Sequence, residues 1–415
     1  MLKSKLKTIV PDSLVSFYHW LWALIGALFY GFPSSYIKII GVTGTNGKST
    51  VVALIRNILE EAGFKVASSS SIAFQVGEEK KKNKLKMTMP GRGQLHSFLR
   101  KAIRADCDYA VIEVTSEGIK QHRHRFIEFD AAVFTNLKPE HIESHGSFEA
   151  YKKAKGELWK QLKKDGTSIV NLDDEHSDYF WNFSAEEKYG YTTRSLERGK
   201  SIKAENIKIK EKSTTFEVDG IDFQLSLPSR FNIYNALAAT GVGLSQDIDL
   251  KTCRDALQKV ESIPGRMEVV VEQPFKVVVD YAHTPDALKE VYNSLSNDLV
   301  CVLGSCGGGR DKWKRPEFGK IADKHCQKII LTNEDPYDED PRQIVEAIKE
   351  NIANKQKTEI ILDREQAIKQ ALKQAEPHQT VVITGKGAEP LMCIEDGQKI
   401  EWDDREIVKK FVNRK

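Results

Sequence analysis

Residues 36–63 read YIKIIGVTGTNGKSTVVALIRNILEEAG, and this stretch determines the fold prediction. The run at 36–42 is apolar and short, as expected of a buried strand. Apolar residues then recur at helical spacing over 48–62, and Gly63 stands where a C-terminal cap belongs. A glycine-rich loop between a strand and a helix predicts a phosphate cradle.

The residues of this loop suit the binding of nucleotide phosphates. Glycines let backbone N–H groups approach phosphate oxygens, Lys48 can neutralise the β- and γ-phosphates, and Ser49 can ligate Mg²⁺. The spacing departs from G-x-x-x-x-G-K-[ST], because the first glycine, Gly41, comes one residue early. A glycine-rich turn without a ligand is the alternative, which the strand–loop–helix context and the GKST ending disfavour.

Short apolar runs alternate with helical patterns along most of the chain, which predicts a mostly parallel sheet covered on both faces. Helical patterns lie near 93–104 and 147–164. An Asp219-Gly220 turn predicts a hairpin within the β-rich region 178–230. The further predicted strands are 108–114, 130–136, 167–172, 276–282, 299–304, 328–333, 359–362 and 380–385.

Pro264-Gly265 separates two such patterns. We therefore predict an α/β protein with a P-loop-type central domain, built on a mostly parallel sheet, plus a C-terminal Rossmann-like α/β domain. The predicted domains are an apolar N-terminal segment (1–35), a central domain (36–263) and a C-terminal domain (264–415). The charge run EEKKKNKLK at 78–86 is interpreted as a solvated loop.

The overall composition is that of a soluble globular protein. Of the 415 residues, 40% are hydrophobic and 29% charged, and the formal net charge is +3. This near-neutral balance argues against a protein that coats nucleic acid without sequence preference, so no nucleic-acid partner is expected. The six cysteines form no CxxC pair, and we expect free thiols in a reducing cytoplasm.

The loop GxxGTNGK(S/T) resembles that of the Mur ligase superfamily, whose members join an amino acid to a carboxylate using ATP. Further stretches resemble the MurE-type ligases in the same order along the chain. They are EVTSEGIKQHR (113–123), TNLKPEHIESHG (135–146), YKKAKGELW (151–159), RFNIYNALAA (230–239), PGRME (264–268), VDYAHTPDAL (279–288), GGGRDKWKRP (307–316) and GKGAE (385–389).

The resemblance implies a catalytic group of Lys48, Glu113, His141 and Lys155. Ser49 and Glu113 would hold one Mg²⁺, and His141 and a carbamylated Lys155 would hold the second. The implied ATP-binding residues are Gly44, Thr45, Asn46, Gly47, Lys48, Ser49, Thr50, Asn235, Arg266, Asp280 and His283.

The resemblance also implies residues for the two joined substrates. Those for the acceptor are Thr88, Pro90, Thr115, Ser116 and Arg123, with Thr88-Met89-Pro90 resembling the family's TTP. Those for the incoming amino acid are Arg310, Glu334, Asp335, Pro336, Tyr337, Gly385 and Glu389. Four positions depart from the family. Glu117 and Ala388 each stand where it has histidine, while Glu334 and Tyr337 stand where diaminopimelate-adding enzymes have an aspartate and an arginine.

The implied function is ATP-dependent ligation of an amino acid to a muramoyl-dipeptide carboxylate through an acyl phosphate, in peptidoglycan precursor synthesis. A diamino acid is expected, with diaminopimelate and lysine both open, and so is the choice between a UDP-linked and a lipid-linked donor. We expect a cytoplasmic monomer. The alternatives are a folylpolyglutamate-synthase-like ligase and a nucleotide-binding scaffold without catalysis.

The N-terminal segment is where MurE-type enzymes have a uridine-binding domain, which is expected to be missing here. Residues 14–32 read LVSFYHWLWALIGALFYGF and follow Lys3, Lys5 and Lys7. A cleaved signal peptide is disfavoured, because it would export the enzyme away from ATP. A single membrane span is disfavoured as well, because with the catalytic part inside the cell it would place the three lysines outside, against the positive-inside tendency. We expect a helix or hairpin ended by Pro33, packed on the core or lying on the inner membrane surface.

Overall fold

Two large sheets, each with helices on both faces, organise the chain. The computed structural model describes residues 11–91, 93–196, 198–295 and 298–412. Within these residues the α/β class is as the alternation of strands and helices predicted.

The first sheet has nine strands in the order β4-β3-β2-β5-β1-β6-β7-β8-β9. All neighbours from β2 to β9 run parallel, while β3 and β4 extend one edge antiparallel. The strands are β1 (Lys38–Thr43), β2 (Val66–Ser69), β3 (Ala73–Val76), β4 (Glu79–Lys82), β5 (Tyr109–Glu113), β6 (Phe129–Phe134), β7 (Leu162–Asn171), β8 (Glu187–Thr192) and β9 (Lys200–Lys203).

The helices of this part follow the apolar periodicity of the sequence. They are α1 (Asp12–Phe29), α2 (Lys48–Glu61), α3 (Gln94–Arg104), α4 (Ser116–Lys120), α5 (Ile142–His145), α6 (Phe148–Gly156), α7 (Ser177–Trp181), α8 (Arg230–Ser245) and α9 (Leu250–Gln258). Helices α2, α8 and α9 share the apolar core on one face of the sheet. Helix α3 and the segment around Trp159 share the core on the other face.

A small antiparallel sheet lies beside α9, with strands β10 (Glu205–Ile209), β11 (Thr214–Val218) and β12 (Ile221–Leu225). Val218 pairs with Ile221, and both turn residues between them, Asp219 and Gly220, have positive φ. This is the geometry that an Asp-Gly hairpin turn requires, so the predicted hairpin is confirmed.

The second sheet has six strands in the order β13-β14-β18-β15-β16-β17, all parallel except β13. Its strands are β13 (Glu268–Val271), β14 (Lys276–Val279), β15 (Leu299–Leu303), β16 (Cys326–Leu331), β17 (Thr358–Ile360) and β18 (Thr380–Ile383). The remaining elements are helices α10 (Pro285–Asn293), α11 (Lys314–His325), α12 (Pro341–Lys349), α13 (Arg364–Gln374) and α14 (Asp404–Val412), and the strand pair β19 (Leu391–Cys393) and β20 (Lys399–Glu401).

Three expectations about local structure are wrong. The helix predicted over 147–164 ends at Gly156, because residues from Leu162 onward pair with β6 as strand β7. The charge run 78–86 is not a solvated loop throughout, since Glu79–Lys82 forms an edge strand and Lys86 is buried to 9% exposure. Cys301 and Cys326 are joined as a disulfide, because adjacent strands hold their Cα atoms 6.1 Å apart.

The N-terminal apolar stretch forms one helix, α1, rather than a hairpin. Ala23 and Ala27 are buried, and Gly26 lies against Gly93 at the start of α3. Pro33 begins a short 3₁₀ turn after the helix. None of the helices in the described ranges combines the length and hydropathy needed to cross a membrane. Lys3, Lys5 and Lys7 lie outside the described residues.

Candidate active site

A cleft of about 1350 Å³ lies between the two large sheets. The carboxyl ends of parallel strands meet at one edge of a sheet, and such an edge is where ligands bind in open α/β folds. On one side, β1, β5 and β6 end at the phosphate loop, Glu113 and Thr135. On the other, β14, β15, β16 and β18 end just before Asp280 and the loops that carry Arg310, Glu334 and Gly385.

Most of the residues predicted for the site line this cleft. Five do not: Gly44, Pro90, Ser116, Lys155 and Pro336. Lys155 lies behind the phosphate loop, where its Nζ contacts the carbonyl of Gly44, a residue of the loop itself. Pro90 instead lines a second cavity of about 590 Å³ beside α1, together with Arg123.

The phosphate loop has the shape that its glycines permit. Gly44 and Gly47 have φ of 147° and 84°, values that residues other than glycine rarely adopt. A Cβ on Gly44 would meet Thr135 Oγ1 at 1.9 Å, and one on Gly47 would meet Asn235 Oδ1 at 2.4 Å. Asn136 holds the loop as well, because its carbonyl accepts from Thr45 N (2.8 Å) and its side-chain oxygen accepts from Asn46 N (2.9 Å).

Lys48, Ser49 and Glu113 form one connected group at the start of α2. Ser49 Oγ donates to Glu113 Oε2 at 2.7 Å, and Lys48 Nζ lies 3.9 Å from Glu113 Oε1. Lys48 also donates to the carbonyl of Thr45 at 2.7 Å. A cation and a buried carboxylate at a phosphate loop are the parts that a bound Mg²⁺–nucleotide requires.

Lys155 lies beneath the phosphate loop, on α6, with 2% of its surface exposed. Its Nζ donates to the carbonyl of Gly44 at 2.6 Å and lies 4.6 Å from the ring centre of Tyr151. Burial, with a further contribution from the nearby Lys48 cation, lowers the Lys155 pKa well below its ordinary value. A buried lysine of this kind favours the neutral amine, which is the form that reacts with CO₂.

His141 lies in a polar group that joins the two sides of the cleft. Its backbone N–H donates to Asp311 Oδ2 at 2.8 Å, and its ring lies 4.0 Å from Glu140. Glu140 Oε1 in turn contacts His283 Nε2 at 3.0 Å and Lys314 Nζ at 3.5 Å. Burial raises the pKa of Glu140, but Lys314 and the two histidines outweigh it, so this pKa lies well below its ordinary value.

The remaining predicted nucleotide residues line the cleft around the phosphate loop, and all of them except Asn235 come from the second part of the chain. Arg266 Nη2 lies 3.2 Å from Ser49 Oγ, and its guanidinium stacks 4.3 Å from the ring centre of Tyr281. Asn235, on α8, lies against Gly47. Asp280 accepts N–H bonds from Met267 (2.6 Å) and Ala282 (2.7 Å), so its carboxylate also holds the local backbone.

The predicted acceptor residues surround the loop before α3. Thr115 caps α4 by accepting from Gly118 N at 3.1 Å, while Ser116 is buried in that helix. Arg123 donates to the carbonyl of Met89, between Thr88 and Pro90. These residues therefore lie together, although Pro90 and Ser116 are not among those that line the main cleft.

The predicted amino-acid residues form a charged pocket at the ends of β16 and β18. Arg310 stacks 4.8 Å from the ring centre of Tyr337. Asp335 and Glu389 are joined by two lysines, Lys386 and Lys86. Gly385 has φ of 102°, and a Cβ there would meet Glu334 Oε2 at 2.2 Å, so this close approach needs glycine.

Several residues with a place in the site were not identified from the sequence. They are Ser71, Lys86, Glu140, Asp311 and Lys314. Glu140 and Asp311 each lie next to a predicted site residue, His141 and Arg310, so their position in the sequence could have identified them. Ser71 carries no such signal. Lys86 lies two residues before Thr88 but stands in a run of similar lysines, and only its distant partners Asp335 and Glu389 distinguish it.

The donor set around the phosphate loop fits Mg²⁺ held together with a nucleotide. In the part of the chain that the structure describes, no group of three or more His, Cys, Asp or Glu is arranged to bind a metal alone. Mg²⁺ bound through substrate phosphates typically uses one or two carboxylates and keeps several waters. The pair of Ser49 Oγ and Glu113, 2.7 Å apart, supplies donors of that type.

Comparison with known protein families matches both halves of the chain. Residues 42–243 match the family described as the Mur ligase middle domain. Residues 265–387 match the one described as the Mur ligase, glutamate ligase domain.

Curated relatives resemble the chain over most of its length. A protein of Clostridium acetobutylicum named UDP-N-acetylmuramoyl-L-alanyl-D-glutamate–2,6-diaminopimelate ligase 1 is 35% identical over 403 residues, which cover 94% of this chain and 81% of the relative. A ligase of the same name, without the numeral, from Syntrophomonas wolfei is 36% identical over 408 residues, covering 95% and 82%.

Solved structures share the fold. A structure of a UDP-N-acetylmuramoyl-L-alanyl-D-glutamate–2,6-diaminopimelate ligase is 30% identical, with a TM-score of 0.60, and the match covers 91% of this chain and 78% of that one. Folylpolyglutamate synthase of Mycobacterium tuberculosis has a TM-score of 0.72 over 88% and 92% of the two chains, and its 16% identity shows the fold alone. The chain belongs to the Mur ligase family and is an ATP-dependent ligase.

Proposed function

We propose that this protein uses ATP to join a diamino acid to the terminal carboxylate of a muramoyl dipeptide, in peptidoglycan precursor synthesis. One observation carries the proposal: a phosphate loop and a charged amino-acid pocket face each other across a single cleft. The relatives named as diaminopimelate ligases act on substrates of this class. The carboxylate would be phosphorylated on one side of the cleft and attacked by the amine from the other.

On the ATP side, the protein positions the phosphates and neutralises their charge. Lys48 and the N–H groups at the start of α2 would hold the β- and γ-phosphates. Asn235, which lies against Gly47, would contact the nucleotide from the phosphate-loop side. Arg266 would contact it from the opposite wall, from which it already reaches Ser49. Asp280 and His283 complete this wall, and Thr45, Asn46 and Thr50 complete the loop.

Mg²⁺, when bound, would screen the negative charge of the transferring phosphoryl group. Ser49 and Glu113 would hold one ion, and His141 with a carbamylated Lys155 would hold the other. As an ammonium, Lys155 would repel a cation. Its lowered pKa and burial favour the neutral amine that forms a carbamate.

The pocket at Arg310, Asp335 and Glu389 would bind the incoming amino acid, which supplies the attacking amine. An arginine binds a carboxylate well, and buried carboxylates bind an ammonium. Tyr337 supplies a hydroxyl but no charge where diaminopimelate-adding enzymes have arginine. The acceptor carboxylate would enter along Thr88, Thr115 and Arg123.

We further propose that the chain divides at Pro264 into a central and a C-terminal domain, as the sequence predicted, and that it acts as a cytoplasmic monomer. Closure of the two domains would bring the acyl phosphate to the amine. The turn at Pro264 packs closely against the loop after β18, because a Cβ on Gly265 would meet Ala388 N at 2.1 Å.

An amino-acid-dependent phosphate-release assay tests the function. The full chain is given ATP, Mg²⁺, an acceptor and, in separate reactions, diaminopimelate, L-lysine or L-glutamate. The acceptor is UDP-muramoyl-dipeptide in one series and a folate in a parallel series. Phosphate release should require the acceptor and a diamino acid, and the Lys48→Ala variant should lose it. ATP binding without release under any condition would favour a scaffold. Release with a folate acceptor and glutamate alone would favour a folylpolyglutamate-synthase-like activity.

We also propose that α1 rests on an anionic membrane surface. Its outer face consists of large apolar residues that are 37–80% exposed and recur every three or four positions. They are Leu14, Phe17, Tyr18, Leu21, Trp22, Ile25, Leu28 and Phe29. Residues 13–37 contain no acidic side chain, while Lys3, Lys5 and Lys7 precede them. An exposed apolar helix face with basic neighbours is complementary to anionic lipid.

Flotation with lipid vesicles tests this second proposal. The full chain should float with phosphatidylglycerol vesicles and not with phosphatidylcholine vesicles. Replacing Phe17, Leu21, Leu28 and Phe29 by serine should abolish flotation, because all four are exposed and leave the packed side of α1 intact. A control with Ile209→Ser and Ile400→Ser, two exposed residues elsewhere, should float normally. Absence of flotation, or flotation unchanged by the four substitutions, would contradict the proposal.

A further inference from the structure

Lys86 reaches the amino-acid pocket from the other side of the cleft. It lies in the segment that precedes Thr88, and its side chain is 9% exposed. Its Nζ donates to Asp335 Oδ2 at 2.6 Å and to Glu389 Oε2 at 2.5 Å. Its backbone has φ of 56°, an uncommon conformation for a lysine, and the ion pairs stabilise this placement.

Two exposed lysines at alternate positions make similar contacts. Lys82 Nζ lies 3.1 Å from Asp403, and Lys84 Nζ lies 2.7 Å from Glu401. The three lysines therefore fasten one segment of the first part of the chain onto the second. Only Lys86, the last of them, enters the amino-acid pocket.

Lys86 leaves the charges of the pocket balanced. Asp335 and Glu389 already face Lys386, whose Nζ lies 3.0 Å and 2.6 Å from them. With Lys86 present, two ammonium groups meet two carboxylates. Burial lowers the pKa of Lys86, but Glu389 and Asp335 outweigh it and raise this pKa above its ordinary value, so Lys86 is charged.

The remaining charged groups around the pocket do not favour a third ammonium. Arg364 pairs with Asp404 at 2.8 Å, and Arg310 adds one more cation. Burial raises the pKa of the neighbouring Glu334, so this carboxyl supplies no strong additional negative charge. A third ammonium beside Asp335 and Glu389 would therefore lack a counter-charge. A buried charge without a partner is costly, so a ligand's ammonium and the ammonium of Lys86 compete for one position.

We propose that Lys86 is a specificity-determining residue whose ammonium occupies the position of the incoming amino acid's distal ammonium, so that a diamino acid binds by exchanging with it. This inference rests on the proposed function, which supplies the diamino acid. An amino acid without a distal ammonium cannot replace Lys86 at the two carboxylates. Because Lys86 lies two residues before Thr88, its release also moves the segment that would contact the acceptor.

Equilibrium binding without ATP tests the exchange. L-lysine and L-norleucine have the same carbon chain, and only lysine carries the distal ammonium. Isothermal titration would compare their affinities for the wild type, Lys86→Met and Lys86→Arg, with Lys84→Met as the matched control. If Lys86 fills the position more than about nine-tenths of the time, its removal should tighten lysine binding at least about tenfold.

The expected pattern is specific to one ligand and one residue. Lys86→Met should gain affinity for lysine and not for norleucine, while Lys86→Arg and Lys84→Met should bind both ligands as the wild type does. Lysine affinity that stays equal or falls in Lys86→Met, or no lysine binding in any variant, would overturn the inference. If Lys86→Met does not fold, Lys86→Gln carries the same prediction.

The outcome is separable from the proposed function because no turnover is needed. Tighter lysine binding in Lys86→Met, with no acceptor-dependent phosphate release in any variant, would contradict the ligase proposal alone. Phosphate release with a diamino acid, without the gain in binding, would contradict the role of Lys86 alone.

Discussion

Lys155 shows how the surroundings of one side chain decide its chemistry. On the exposed face of α6, where Lys153 lies, it would be an ordinary cation. Beneath the phosphate loop it loses water and lies close to Lys48, and both effects disfavour its charge. A neutral amine can add CO₂, releasing one proton and leaving an anionic carbamate.

We predict that Lys155 carries this carbamate when the protein is equilibrated with ¹³C-labelled bicarbonate. A carbamate carbon signal should appear in the NMR spectrum of the wild type and be absent in Lys155→Ala. Lys153→Ala is the control and should retain the signal. Lys155→Ala should also lose ligase activity, and full activity in that variant would show that the assignment is wrong.

Glu339 is a second residue whose ionisation depends on its partners. Its carboxylate accepts two bonds from Arg315, at 2.7 Å and 3.0 Å, and lies 3.1 Å from Lys312. The hydrogen bond from Arg315, partly opposed by burial, lowers the pKa of Glu339 to about 2. These bonds tie the loop that carries Arg310 to the loop that carries Tyr337.

We predict a pH-dependent contribution of Glu339 to stability. A folded-state pKa below the unfolded value of about 4.3 stabilises the fold above that pH, and the effect disappears as pH falls through the folded pKa near 2. Glu339→Gln should therefore lower the free energy of unfolding by about 1.5–3 kcal/mol at pH 7, and by less as the pH approaches 2. Urea unfolding at several pH values measures it, and a pH-independent difference would contradict the assignment.

Helix α1 is held by a close backbone contact and by a few side chains on its inner side. A Cβ on Gly26 would meet Gly93 Cα at 2.6 Å, and Arg100 Nε donates to the carbonyl of Tyr30 at 2.9 Å. Trp20 packs edge-on against Phe126, with ring centres 5.7 Å apart. The helix is therefore docked on one side while its outer face stays exposed.

We predict that Gly26→Ala weakens this docking, because the new Cβ would collide with the backbone Cα of Gly93, which cannot turn aside as a side chain can. Overpacking of this kind lowers the free energy of unfolding by about 1–3 kcal/mol. Proteolysis within residues 11–35 should become faster, and the melting temperature should fall. Leu14→Ala, at a residue that is 58% exposed on the same helix, should leave both unchanged. An unchanged Gly26→Ala variant would contradict the tight contact.

The two halves of the molecule meet through polar contacts across the cleft. Asp311 accepts N–H bonds from His141 (2.8 Å) and Ile142 (3.1 Å), His283 contacts Glu140, and Arg266 reaches Ser49. Such interfaces open more readily than apolar ones, which suits an enzyme that must admit and release large substrates.

We predict that Asp311→Ala opens the cleft. It removes two charge-assisted bonds, each worth about 1.5–3 kcal/mol, so the radius of gyration in small-angle X-ray scattering should increase. The turnover number should fall, because the two substrates would meet less often. Glu346→Ala, on the exposed face of α12, is the control. A compact and fully active Asp311→Ala variant would contradict this role.

Much of the fold and of the site could be predicted because the signals are local in sequence. The strand–loop–helix at 36–63 and the strands of the second sheet lie close to where the apolar runs predicted them. The helix over 147–164 was predicted too long, because its last residues gain more by pairing with β6 than by continuing the helix. The disulfide escaped prediction for a related reason: Cys301 and Cys326 meet only through the pairing of β15 with β16.

The sequence by itself determined the α/β class, the phosphate loop and the order of the motifs, since these depend on periodicity and on glycine, lysine and proline at fixed spacings. Only the tertiary structure decided that Lys86 enters the amino-acid pocket, that Glu140 joins His283 and Lys314, and that α1 docks on one side. The physical reason is the same in each case. A charge run or an apolar run says what a segment needs as a partner, and only the folded chain places that partner within reach.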